Sequence, residues 1–211
     1  ERRPRHLDPG ALDTPAEALA CAAREALRMG DHVERMLGRV IAVFESDDSR
    51  LAREVEAEDD ILDALHEAIK IYLTSLTRQD LDPDEAARHY EILSFTTNLE
   101  HIGDIIDKNL MELAAKKMRH RLRFSEEGFA EIRHFHAMVL DNFKLAVNVF
   151  ITRDARLARE LLERKVAARD AERQATERHL ARLGARLALS TISPSCSLLR
   201  TCTPRFPGSS E

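Results

Sequence analysis

Between residues 51 and 76 the positions Leu51, Val55, Glu58, Leu62, Leu65, Ile69, Tyr72 and Leu76 follow one another in alternating steps of four and three. Such steps keep side chains on one face of an α-helix, so the segment must bury a long narrow stripe against other helices, with one acid, Glu58, set into it. The spacing predicts a helix from about Asp48 to Leu76. A first helix is expected before it, with Thr14 as N-cap and Pro15 at the first helical position, running to about Glu45 and the turn "ESDDS".

The same device recurs downstream. A third helix begins at Pro83 after the N-cap Asp82 and carries Ile92, Phe95, Leu99, Ile102, Ile106, Leu110 and Leu113, closing on the basic run "KKMRHRLR". A fourth follows Ser125-Glu126-Glu127 and would bury Ile132, Phe135, Val139, Phe143, Ala146 and Val149. A fifth, from near Asp154 to about Leu187, offers Leu157, Leu161, Val166, Ala168, Ala175, Leu180 and Leu183. Short connections between long helices imply antiparallel neighbours in a bundle.

Composition agrees with an all-α chain. Only seven glycines and seven prolines interrupt 211 residues, and 33% charged against 5% aromatic residues is the balance of amphipathic helices, not of a β-sandwich. The 44% hydrophobic content can supply a core. A net charge of -5 lacks the basic footprint of a duplex binder, so no nucleic acid partner is expected. Cys21, Cys196 and Cys202 form no CxxC pair and suit a reducing cytosol, with Cys21 a small core residue. No apolar run is long enough to span a bilayer. Glu1 is not a natural start residue, which leads us to expect an upstream portion, a membrane domain included. From "STISPSCSLL" onward, Ser, Thr, Pro and Cys replace the helical pattern, and an irregular tail is expected over residues 190–211.

Two acidic pairs stand beside the stripes. Asp59 and Asp63, and Glu100 and Asp104, are each four apart, so each pair shares one face of its helix next to the apolar seam, with Asp107 and His66 on the same strips. Gly103 removes a side chain where the third helix could approach a neighbour closely. Like charges at that spacing repel unless protons or cations neutralise them. Oxygen donors of this kind suit Mg²⁺, Mn²⁺, Ca²⁺ or iron, and His66 would shift the preference towards a transition metal. The ordinary alternative is a solvated helix face, since a third of the chain is charged. Glu58 is read as a partner of the acidic pairs or as a side chain reaching out from the seam, and His101, His134 and His136 as surface or satisfied interior histidines.

"DDILDALHEAIKIYL" followed by "TNLEHIGDII" resembles the PhoU family, whose signature is an E(D)xxxD motif on neighbouring helices. "LDPGALDTPAEALACAAREALRMGDHVERML" and "ERHLARL" are similar to the PhoU-like cytosolic domain behind the membrane portion of bacterial sodium/phosphate cotransporters. The resemblance covers most of residues 7 to 183. It implies two tandem antiparallel three-helix bundles, the first complete over residues 15–122 after a linker at 1–14, and the second, at 123–189, lacking its last helix. It also implies a metal site at Asp59, Asp63, Glu100 and Asp104 holding iron, zinc, manganese or magnesium. The implied role is regulatory and not enzymatic: control of phosphate uptake or phosphate signalling, with a transporter membrane domain or a signalling protein as partner, in the cytoplasm at the inner face of the membrane. In the second half the answering positions read Lys165 and Arg169, so no second metal site is expected. A basic face there, with Arg159, Arg164, Arg173 and Arg178, is read as solvated. Without a sixth helix the apolar faces of the last two helices lose one wall, and a homodimer formed through that face is expected.

Two rivals come from the residues alone. A ferritin-type di-iron enzyme needs paired ExxH motifs, for which Asp63-Ala-Leu-His66 and Glu131-Ile-Arg-His134 are the nearest matches. A ligand-free helical scaffold is the other.

Overall fold

The computed structural model describes residues 3–77 and 80–187, with side chains through residue 180. No β-strand occurs among the described residues. A short 3₁₀ turn, Pro9–Asp13, leads into α1 (Pro15–Ser46), followed by α2 (Ser49–Leu76). The third expected helix is built in three continuous parts: α3 (Pro83–Asp104), a π-helical stretch (Ile105–Met111) and α4 (Glu112–Arg119). A hairpin of α5 (Glu126–Thr152) and α6 (Ala155–Leu187) completes the described chain. None of these helices is long and apolar enough to cross a membrane.

Local chemistry sets the ends. Asp82 accepts from the Glu85 backbone N–H while the Glu85 carboxylate accepts from that of Asp82, a reciprocal cap that starts α3. Ser125 starts α5 by accepting from the Gly128 N–H at 3.2 Å. Asp47 and Arg153, at φ 52 and 54, turn the chain in the left-handed region after α1 and α5. Thr14 takes the extended backbone of a cap residue, yet its side chain makes no capping bond; Pro15, with no N–H to satisfy, opens α1 in its place.

The α2 stripe behaves as its spacing dictates: Val55, Leu62, Leu65, Ile69, Tyr72 and Leu76 are buried against α1 and α3. Met29, Met36, Ile92, Leu99, Ile106 and Met111 fill the space between, each large side chain contributing about 1.5–3 kcal/mol. Part of the segment expected as a linker is held to this bundle. The backbone N–H groups of Arg5 and His6 donate to the fully buried Glu25 carboxylate at 2.8 and 2.7 Å, and the Tyr72 hydroxyl donates to the Asp8 carbonyl at 2.7 Å.

The hairpin departs from its expected stripes. α5 buries Phe135 and Phe143 as expected, and also Leu145 and Phe150, because it packs against α1 on one side and α6 on the other. Phe150 stacks on Phe95 with ring centroids 4.0 Å apart and carries the Arg88 guanidinium on its ring. In α6, Val166 and Leu180 were expected in the seam but are 60% and 56% exposed. A step of five from Leu161 turns Val166 about 140° away and gives its place to Lys165; Leu157, Leu161 and Ala168 are half-buried and Ala175 is buried, as expected, while Leu183 lies beyond the described side chains. The irregular tail expected over 190–211, with Cys196 and Cys202, lies outside the described residues, as does any sixth helix.

Candidate metal centre

α2 and α3 cross where Gly103 faces Asp59 and Leu62. A Cβ at residue 103 would come within 2.4 Å of Leu62 Cδ2 and 2.6 Å of Asp59 Oδ1. Only glycine permits this approach, and the approach is what covers Asp59. Asp59 is 6% exposed, and its Oδ1 is buried with no hydrogen-bond donor from the protein. Spacing alone placed it beside the seam; the closeness of α3 puts it inside.

Asp59, Asp63 and Asp104 each bring a carboxylate oxygen within 4.8 Å of the others, one residue buried, one half-buried and one exposed. Two ligands come from one face of α2 and the third from the end of α3, so the grouping exists only once the helices have packed. Glu100, one turn before Asp104, is not among the three; its carboxylate lies 3.7 Å from His101 Nδ1. His66 is also outside the grouping, and its Nε2 is buried without a partner.

Electrostatics follow from that geometry. Burial, with Asp63, Asp107 and Asp104 nearby, pushes the Asp59 carboxyl up to about 7. Asp107, on the π stretch, is also raised, by burial and by Glu56, Asp104 and Asp60. Spacing picked out Asp107, but the π stretch that carries it went unforeseen. A trace of it exists in the pattern: Ile102, Ile106 and Leu110 advance by two successive steps of four, and a turn closed by i to i+5 bonds keeps such residues in line.

Glu58 belongs to a different cluster. It lies 2.5 Å from Nδ1 of the buried His32 on α1, with Arg35 and Arg39 closing around it. Burial alone would raise its pKa, but the hydrogen bonds from Arg35 and His32 win and hold it below the usual range. Glu58 therefore ties α1 to α2 behind the acidic face. The other histidines are as read: His101 and His134 are exposed, and His136 lies 2.7 Å from the Leu37 carbonyl. On α6, Arg164, Arg173 and Arg178 pair with Glu160, Asp170 and Glu131.

The donor set fits a hard divalent cation. It is all oxygen and carries more negative charge than the nearby ammonium of Lys108 balances, and its buried atom lacks any donor. The di-iron arrangement is not favoured, because Glu131 is engaged by Arg178 on α6 while Asp63 and His66 lie on α2.

Residues 26–113, which contain all three carboxylates, match the PhoU domain. The chain carries a PhoU domain. A crystal structure of PhoU from Pseudomonas aeruginosa superposes with a TM-score of 0.78 at 20% identity, covering 91% of this chain and 90% of that one, which shows the PhoU helical-bundle fold. Among sequence relatives, the protein described as "Putative inorganic phosphate export protein YjbB" from Escherichia coli strain K12 is 38% identical over 181 residues, 86% of this chain. Its counterpart from Salmonella typhimurium gives the same figures. The chain spans about a third of the length of these curated relatives, 33% in each case.

Proposed function

We propose that this PhoU-like chain is a regulatory, non-catalytic unit of a bacterial phosphate transport protein, working at the inner face of the membrane and adjusting phosphate passage according to a bound metal ion. The observation that carries the reading is the convergence of Asp59, Asp63 and Asp104 inside a PhoU domain, with a buried oxygen that has no protein donor. These three residues would hold the ion, and Glu100 would join only by turning from His101. The bound charge would clamp α2 to α3. Manganese, magnesium, iron and zinc are all candidates, with oxygen donors favouring the harder ions.

The transporter assignment is supported by relatives that extend well beyond this chain and carry phosphate export in their name. Sodium-coupled phosphate transport is the form we propose from the sequence resemblance. In cells carrying the full-length protein, removing the part that corresponds to this chain should change phosphate flux and its response to phosphate supply. An unchanged flux and response would refute the role. Metal analysis of purified wild type beside Asp59→Asn/Asp104→Asn tests the site: metal should be present in the first and lost in the second.

A second copy of this chain is the partner we propose for the outward side of α6. Exposed Leu162, Val166 and Leu180 share that side of the helix, an apolar strip that a second copy would cover. Light scattering should give the mass of a dimer, and a monodisperse monomer would rule this out.

A further inference from the structure

Lys108 stands over the acidic trio. It lies one turn beyond Asp104 in the π stretch, and its Nζ is 2.5 Å from Asp104 Oδ1, the residue that closes the grouping with Asp59 and Asp63. Its charge also acts on Asp59 and Asp63 across the helix boundary. The acid precedes the base by four residues, the favourable order for such a pair, and the wider π turn keeps residue 108 close above residue 104. The Lys108 side chain is 62% exposed, so it can swing into water without uncovering apolar surface.

We propose that Lys108 is a tethered competitor for the cation site: a metal ion must displace its ammonium from Asp104 before all three carboxylates can turn to the ion. This rests on the metal-site reading above and names how that site is regulated. The physical case is one of charge and attachment. An ion that takes the ammonium's place faces three carboxylates, and a cation of higher charge offsets more of that negative charge than the ammonium did. A monovalent ion from solution competes against an ammonium held in place by its own chain, at an effective concentration on the order of millimolar or above, and gains no extra charge by winning. A divalent ion gains one. The site therefore selects for doubly charged ions and releases them readily, as a sensor must and a permanently loaded structural site need not.

Another ion pair of the same kind supplies the control. Glu112 and Lys116 are also four apart, also exposed and 2.7 Å from one another, but stand further along α4, away from the trio. The experiment is a Mn²⁺ titration of the purified 211-residue chain, following the free-ion electron paramagnetic resonance signal, for wild type, Lys108→Met, Lys108→Arg, Lys116→Met and Asp59→Asn. Circular dichroism confirms that each variant is folded. Breaking an exposed pair of this type is worth about a two- to fivefold change, so Lys108→Met should bind Mn²⁺ tighter by at least that factor. Lys108→Arg and Lys116→Met should match wild type, and Asp59→Asn should lose binding. Unchanged or weaker binding by Lys108→Met, with Asp59→Asn still inactive, overturns the competitor and leaves the metal site standing. Equal tightening by Lys108→Met and Lys116→Met also overturns it, because net charge alone would then be responsible. Binding that survives Asp59→Asn, or is absent throughout, overturns both.

Discussion

Asp59 is the residue at which burial and charge conflict most. Its folded-state value of about 7 lies above its ordinary 3.8, so across that window the metal-free folded chain holds a proton that the unfolded chain has released. The associated stability is complete below the lower value and is lost as pH rises to the upper one. In the presence of a chelator, wild type should lose on the order of 1–3 kcal/mol between pH 5 and 8 relative to Asp59→Asn, read from urea unfolding at both pH values. An equal pH dependence in the two proteins would show that Asp59 is not held this way. Gly103 is the second decisive residue. Leu62 is fully buried and cannot retreat from a new methyl group, so Gly103→Ala should destabilise the fold by about 1–3 kcal/mol despite alanine's better helix propensity. Chemical denaturation measures it, and a more stable variant would contradict the contact.

Among the elements, α2 was the most legible in the sequence and α6 the least. The α2 stripe alternates four and three without a fault, and its partners lie on both sides, so six of its eight positions are buried, with Leu51 and Glu58 half-buried. Among the described residues α6 packs mainly on α5, and its apolar residues do not keep one period, so Val166 and Leu180 face outward while Lys165 sits half-buried in the seam. The two faces of α5 were half legible: Phe135 and Phe143 follow the stripe, whereas Phe150, a step of seven beyond Phe143, takes the buried place expected of Val149 because it meets Phe95 and Arg88 of α3. Phe150→Ala should cost about 3 kcal/mol and release the end of the hairpin. Hydrogen exchange should then show faster opening around the turn between α5 and α6, with the α2 core unaffected; uniform acceleration throughout the chain would argue against a local role.

For the molecule as a whole, the proposed ion joins two helices that otherwise repel across a shared acidic face. At about one hundred times its dissociation constant, Mn²⁺ should stabilise the wild-type fold by about 2.7 kcal/mol, a rise of several degrees in melting temperature. Calorimetry should show this rise in wild type and none in Asp59→Asn/Asp104→Asn. The sequence by itself determined that the described residues fold as helices, where most helices begin and end, and which acids could share a face, because helical period and capping chemistry act over a few residues. It also carried the likeness to PhoU, through strings that survive as written. Only the tertiary structure decided that Asp104 meets Asp59 and Asp63 while Glu100 turns to His101, that Glu58 serves His32 instead, and that Lys108 stands over the trio. Those outcomes depend on how closely α3 approaches α2 at Gly103 and on the π turn that follows, and distances between helices are not written in the period of either one.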